Sequence, residues 1–140
     1  MVKYSFILIV FATFIISCNK DSNVDCESYD YSSCNTLEPI ESVLNIIVTM
    51  ENDSSKVPVY LYKGKYGGAS TLIYSDTVSD VEIKISLPLN EDYYAKAKYV
   101  KNGNIIYAVD GTYFKKVGQP TCDSTCWKIK GNEIDIRLKN

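Results

Sequence analysis

Between residues 81 and 89 the chain reads VEIKISLPL: Val81, Ile83, Ile85, Leu87 and Leu89 take every second position, with Glu82, Lys84 and Ser86 between them. Side chains of an extended strand point alternately to opposite faces, so this run has one apolar face and one wet face. The period recurs along the chain. Leu44, Ile46, Val48 and Met50 share a face in SVLNIIVTM, as do Val57, Val59 and Leu61 in VPVYLYKG, with Tyr60 and Tyr62 opposite. Residues 71–77 form a weaker strand. Tyr93, Ala95, Ala97 and Tyr99 alternate with Tyr94, Lys96 and Lys98, and Ile134, Ile136 and Leu138 alternate with Glu133, Asp135, Arg137 and Lys139.

No window keeps a helical period over three turns, and the punctuation suits strands. Asn102-Gly103 predicts a two-residue hairpin between strands at 93–101 and 104–109, because both residues tolerate positive φ. Gly131-Asn132 is expected to play the same part between 127–130 and 133–139. Residues 64–68, GKYGG, read as a longer loop, and Asp110-Gly111 as a turn or bulge. About seven short strands joined this way predict an all-β fold, an antiparallel β-sandwich, since a lone sheet would leave its apolar face in water.

The first residues are of a different kind. Lys3 precedes YSFILIVFATF, an uncharged run at 4–14, and Ile15-Ile16-Ser17-Cys18 closes it. A membrane-spanning helix needs roughly 20 apolar residues, whereas a signal-peptide core needs about 7–15. The stretch resembles a bacterial lipoprotein signal, whose lipobox ends in the cysteine that becomes the first, lipidated residue. Ordinary secretion fits less well, since Ile15 stands where a second small residue is wanted. The expected organisation is a lipoprotein signal peptide at 1–17, a lipidated polar tether with two cysteines at 18–41, and a β-sandwich domain at 42–140. Lys20-Asp21 faintly resembles a surface-export tag, and reads equally as a solvated tether.

Lipidation of Cys18 leaves Cys26, Cys34, Cys122 and Cys126, an even set for an exported chain and hence two disulfides. Three pairings exist: local pairing would close two small loops, and crossed pairing would tie the N-terminal segment to the loop before the last strands. The spacing leaves them open. A zinc site is disfavoured because seven residues separate Cys26 from Cys34, where structural zinc pairs use two to four.

Loss of Lys3 with the signal takes the basic residues from 15 to 14 against 17 acidic, a net charge of −3. No basic stripe is present, so nucleic acid is not an expected partner. The chain holds no histidine, which removes the commonest general base and metal ligand together. Ser and Thr therefore lack an activating partner, and no catalytic residue is assigned. Asp25, Glu27 and Asp30, or Asp110 and Asp123, fall short of an EF-hand pattern, so no metal and no cofactor is expected.

VPVYLYKG (57–64), ISLPLNEDYYAKAKY (85–99) and IDIRLK (134–139) occur in an order that resembles the transthyretin-like sandwiches, including carboxypeptidase regulatory-like and CnaB-like domains. An immunoglobulin-like sandwich is the neighbouring architecture, and the whole chain resembles small Bacteroidota-type lipoproteins. The hydrolases of the transthyretin-like group need histidines. The Lys–Asn isopeptide of CnaB-like domains needs a first-strand lysine, which 42–50 lacks. The resemblance therefore implies a binding or scaffold module. The expected function is a lipid-anchored, non-catalytic envelope protein, held to a membrane (most simply the outer one) through its N-terminal lipid and acting as a protein-binding or assembly module. The alternative is a glycan-binding surface lipoprotein using a tyrosine-rich face. Tyr60, Tyr62 and Tyr66 are its candidate residues, two outward on one strand and the third in the following loop. Tyrosine also suits any half-buried strand surface.

Overall fold

The computed structural model describes residues 26, 30–32, 34–51 and 56–139. The signal peptide, Cys18, Lys20-Asp21, Asp25 and Glu27 lie outside the described residues. Among the described residues eight strands follow in order: β1 (Glu41–Ile47), β2 (Val57–Gly64), β3 (Ser70–Val78), β4 (Glu82–Pro88), β5 (Glu91–Lys101), β6 (Asn104–Pro120), β7 (Thr125–Lys130) and β8 (Glu133–Asp135). They form two sheets, β4-β1-β8 and β3-β2-β5-β6-β7. The protein is an all-β sandwich. Every pairing is antiparallel except that of β1 with β8.

The period-two faces meet in the core. Leu44, Ile46, Ile134 and Ile136 from the small sheet pack against Val59, Leu61, Ala95, Ala97 and Phe114 of the large one, all fully or almost fully buried. Fully burying a side chain of the Leu or Ile kind stabilises by about 1.5–3 kcal/mol. Alanines at 95 and 97 leave room for the branched chains facing them, as close packing requires. Two core tyrosines send their hydroxyls to backbone: Tyr93 donates to the Pro88 carbonyl at 3.0 Å, and Tyr99 to that of Ile136 at 2.8 Å.

Three sequence expectations change. Val81 is 60% exposed and precedes β4, so the inward series of that edge strand starts at Ile83. Asp110-Gly111 makes neither a turn nor a bulge. It lies inside the 17-residue strand β6, in unbroken register with β5, Ala95 opposite Asp110 and Tyr94 opposite Gly111. Glycine is wanted there for close approach, since a Cβ would stand 2.9 Å from the Tyr93 carbonyl oxygen and from the Tyr94 Cβ. Gly131-Asn132 is not a hairpin turn. β7 pairs with β6, but β8 pairs with β1 in the other sheet, so the chain changes sheets at Gly131, where φ is +70°. Asn102-Gly103, with φ of 53° and 79°, makes the expected hairpin.

The cysteines take the crossed pairing, Cys26–Cys122 and Cys34–Cys126, with Cα separations of 5.3 and 5.2 Å. The segment before β1 is fastened further. The Trp127 amide donates to the Asn35 carbonyl at 2.9 Å, and the Lys116 ammonium meets the Glu38 carboxylate at 2.7 Å and the Pro39 carbonyl at 3.1 Å. From Cys34 onward the stretch read as tether is thus joined to the β6–β7 arm.

Candidate binding face

On β2 the odd positions fill the core, so Tyr60 and Tyr62 stand on the outer face of the five-stranded sheet, both partly buried. The register sets Tyr62 opposite Tyr94 of β5, and the two rings stack flat, 4.7 Å between centroids and 6° between planes. Tyr66, in the β2–β3 loop, meets the same Tyr94 ring nearly at right angles, 75° and 5.4 Å away. The Tyr94 hydroxyl lies 3.0 Å from the Ser70 hydroxyl at the start of β3. Aromatic pairs in these geometries contribute about 0.5–1.5 kcal/mol beyond the area they bury. Tyr94 is therefore a fixed post joining strand and loop.

Of the three tyrosines singled out from sequence, Tyr62 and Tyr66 converge on Tyr94. Tyr60 does not join them: it lies two residues back on β2, opposite Lys96 and Ser75. Beside Tyr94 the outer face sinks, because Gly111 has no side chain. Tyr66, Asp92, Tyr94, Thr112 and Tyr113 surround a hollow of about 200 Å³ there. Tyr94 is almost wholly buried, but Tyr66 and Tyr113 are 69% and 48% exposed. Reading β2 and its loop alone misses Tyr94, Gly111 and Tyr113.

Charge around the hollow is close to balanced. The Lys65 ammonium lies 3.9 Å from the Asp92 carboxylate, and Lys63 is 2.8 Å from Glu91, whose hydrogen bond raises the lysine pKa. The Lys115 ammonium sits 5.6 Å from the Tyr113 ring centre, and Lys96 sits 4.0 Å over Tyr107. At the far side of the sandwich, Arg137 grips Asp135 through two bonds of 2.8 Å and holds that carboxyl well below the usual range.

The described cysteines and the acids at 110 and 123 sit in structural contacts. Cys26, Cys34, Cys122 and Cys126 are all in disulfides. Asp110 accepts a hydrogen bond from the Asp135 amide at 2.8 Å, and the Asp123 amide donates to the Tyr31 hydroxyl at 3.1 Å, so these two acids serve different elements. Among the described residues no group of three His, Cys, Asp or Glu side chains is placed to hold a metal ion. The stacked tyrosines and the recess beside them offer apolar ring faces with hydroxyls and a carboxylate at the rim. No protein-family model, curated protein or solved structure matches the chain.

Proposed function

We propose that this chain is a lipid-anchored, non-catalytic binding module of the bacterial envelope, acylated at Cys18, that serves a protein or assembly partner. The observation that carries the reading is the stapling of the N-terminal segment by Cys26–Cys122 and Cys34–Cys126. Disulfides persist in oxidising compartments, which agrees with an export signal. They also fix geometry. The eight-residue step from Cys18 to Cys26 spans at most about 28 Å even when fully extended, so the β6–β7 arm stays close to the bilayer. Several acyl chains make such attachment durable, where one chain is marginal.

The lack of histidine supports a binding role. A glycan ligand is the second reading, favoured by the Tyr62–Tyr94–Tyr66 cluster. The test of the anchor is metabolic labelling with a fatty acid, followed by membrane fractionation of wild type and Cys18→Ala. Wild type should carry label and sediment with membranes, and Cys18→Ala should lose both properties. Membrane attachment that survived the substitution would end the reading.

A further inference from the structure

We infer that the hollow beside Gly111 is a carbohydrate subsite that seats one pyranose ring of a longer glycan between Tyr66 and Tyr113. The inference rests on the glycan reading of the Tyr62–Tyr94–Tyr66 cluster and names the unit that it seats. Both rings are largely exposed, 69% and 48%, and both are held by their surroundings. Tyr66 packs against Tyr94, which Tyr62 backs from the neighbouring strand, and Tyr113 belongs to β6, opposite Asp92. The floor is backbone. With a Cβ at 111 only 2.9 Å from Tyr93 and Tyr94 atoms, no larger residue fits without displacement, so the recess is built into the sheet.

The chemistry of the rim selects the ligand. A pyranose presents C–H bonds on its faces and hydroxyls around its edge. The faces suit exposed tyrosine rings, and the edge suits the Tyr66 and Tyr113 hydroxyls and the Asp92 carboxylate, on residues that line the recess. Ligand pockets for whole small molecules run about 300–1,000 Å³. This recess, about 200 Å³ and open to solvent, fits one ring of a chain that continues across the sheet.

Two rival occupants fit less well. Three tyrosines and a carboxylate could cage a quaternary ammonium group. Here Lys65 already lies 3.9 Å from Asp92, and Lys115 lies 5.6 Å from the Tyr113 ring, so a cationic ligand meets two cations. A protein partner needs about 800 Å² of this face, and interface centres are depleted in lysine. Lys96 and Lys98 stand on the same outer face of β5, next to the tyrosines. A neutral polyhydroxylated chain avoids both difficulties.

The test is native affinity electrophoresis of the full-length protein, kept in a polyoxyethylene detergent, through gels cast with β-glucan, xylan, galactomannan or polygalacturonate. At least one neutral polysaccharide should retard the wild type. Tyr66→Ala and Tyr113→Ala should each weaken that retardation about tenfold, the scale of one lost stacking partner, while Tyr66→Trp keeps it. Tyr107→Ala, exposed on the same face outside the recess, should change nothing. Both tyrosines are exposed, so the substitutions leave the core intact. The inference is overturned if no polysaccharide retards the protein, or if retardation survives both alanine variants. It is equally overturned if only polygalacturonate retards it and salt abolishes the effect, if tetramethylammonium competes, or if these tyrosines prove to bind a protein and no glycan. None of those results would alter the outcome of the Cys18→Ala fractionation, which tests the anchor separately.

Discussion

Tyr99, on β5 of the large sheet, donates its hydroxyl proton to the Ile136 carbonyl 2.8 Å away, just past the end of β8 in the small sheet. The Tyr99 hydroxyl oxygen in turn accepts from the Thr49 amide at 3.0 Å. One side chain thus bonds the tails of both β1 and β8, where the ladders between them have ended. Deleting the hydroxyl leaves a carbonyl and an amide without their partner.

Tyr99→Phe is therefore expected to destabilise by about 2 kcal/mol at neutral pH, the scale of an unsatisfied buried pair. It should also change the alkaline limb. Burial is the leading reason that the Tyr99 and Tyr93 pKa values lie above the ordinary 10.0. The folded protein holds those protons more tightly than the unfolded chain, so their contribution is complete below pH 10 and declines as pH rises above it. Urea unfolding at pH 9 and pH 11 checks this. The fall between the two should be smaller in Tyr99→Phe, and an equal fall would refute the assignment.

The acid limb has another source. Two bonds from Arg137 and the Arg137 backbone amide lower the Asp135 pKa from its usual 3.8. There the unfolded chain binds the proton more readily, so the stabilisation is present above pH 4 and is lost as pH falls below it. Asp135→Asn should flatten the stability profile between pH 2 and 4 relative to wild type. The pair is exposed and salt screens it, so the difference should shrink in 1 M NaCl.

The glycines should rank by what surrounds them. Gly131 combines a φ of +70° with a position where a Cβ would run into the Tyr113 carbonyl oxygen. Gly103 has a φ of +79° but open space around it. Gly103→Ala should cost about 1 kcal/mol for the strained backbone alone. Gly131→Ala should cost clearly more, about 3 kcal/mol or beyond, as overpacking adds to strain. Thermal melts of the two variants decide it, and equal losses would mean the corner at 131 can open.

Much of this was legible. The faces of β1, β2, β4 and β5 follow from period two, and Asn102-Gly103 does more than mark a turn. Counting outward from that hairpin sets Tyr94 opposite Gly111 and Asp92 opposite Tyr113, which is the register found. One wall and the floor of the recess could thus be read from the turn. The approach of Tyr62 to Tyr94 could not, because about thirty residues and two other strands separate β2 from β5, and no local turn sets their register. The Gly131 corner misled for a related reason: a glycine with positive φ reverses a chain within one sheet or diverts it to another, and only the partner strand decides. Here β8 takes β1, and Ile134 and Ile136 lie almost fully buried in the core beside it.

The two disulfides should not act independently. Each alone spans a long loop, with separations of 96 and 92 residues. In the chain-entropy model a loop of that size restricts the unfolded chain by about 4.7 kcal/mol. Once one bridge is closed, the other closes only the short ring through residues 26–34 and 122–126, about a dozen residues and so about 3 kcal/mol. Replacing Cys26 and Cys122 together by Ala, or Cys34 and Cys126 together, should therefore cost about 3 kcal/mol each. Replacing all four should cost clearly more than twice that, about 7–8 kcal/mol. Connectivity is read separately by mass spectrometry without reduction. Trypsin leaves each cysteine pair within one peptide, whereas cleavage at acidic residues cuts at Glu27 or Asp30 and at Asp123. Linked fragments 26 with 122 and 34 with 126 are expected. Fragments joining 26 with 34 would mean local pairing, and the extra loss in the fourfold variant should then vanish.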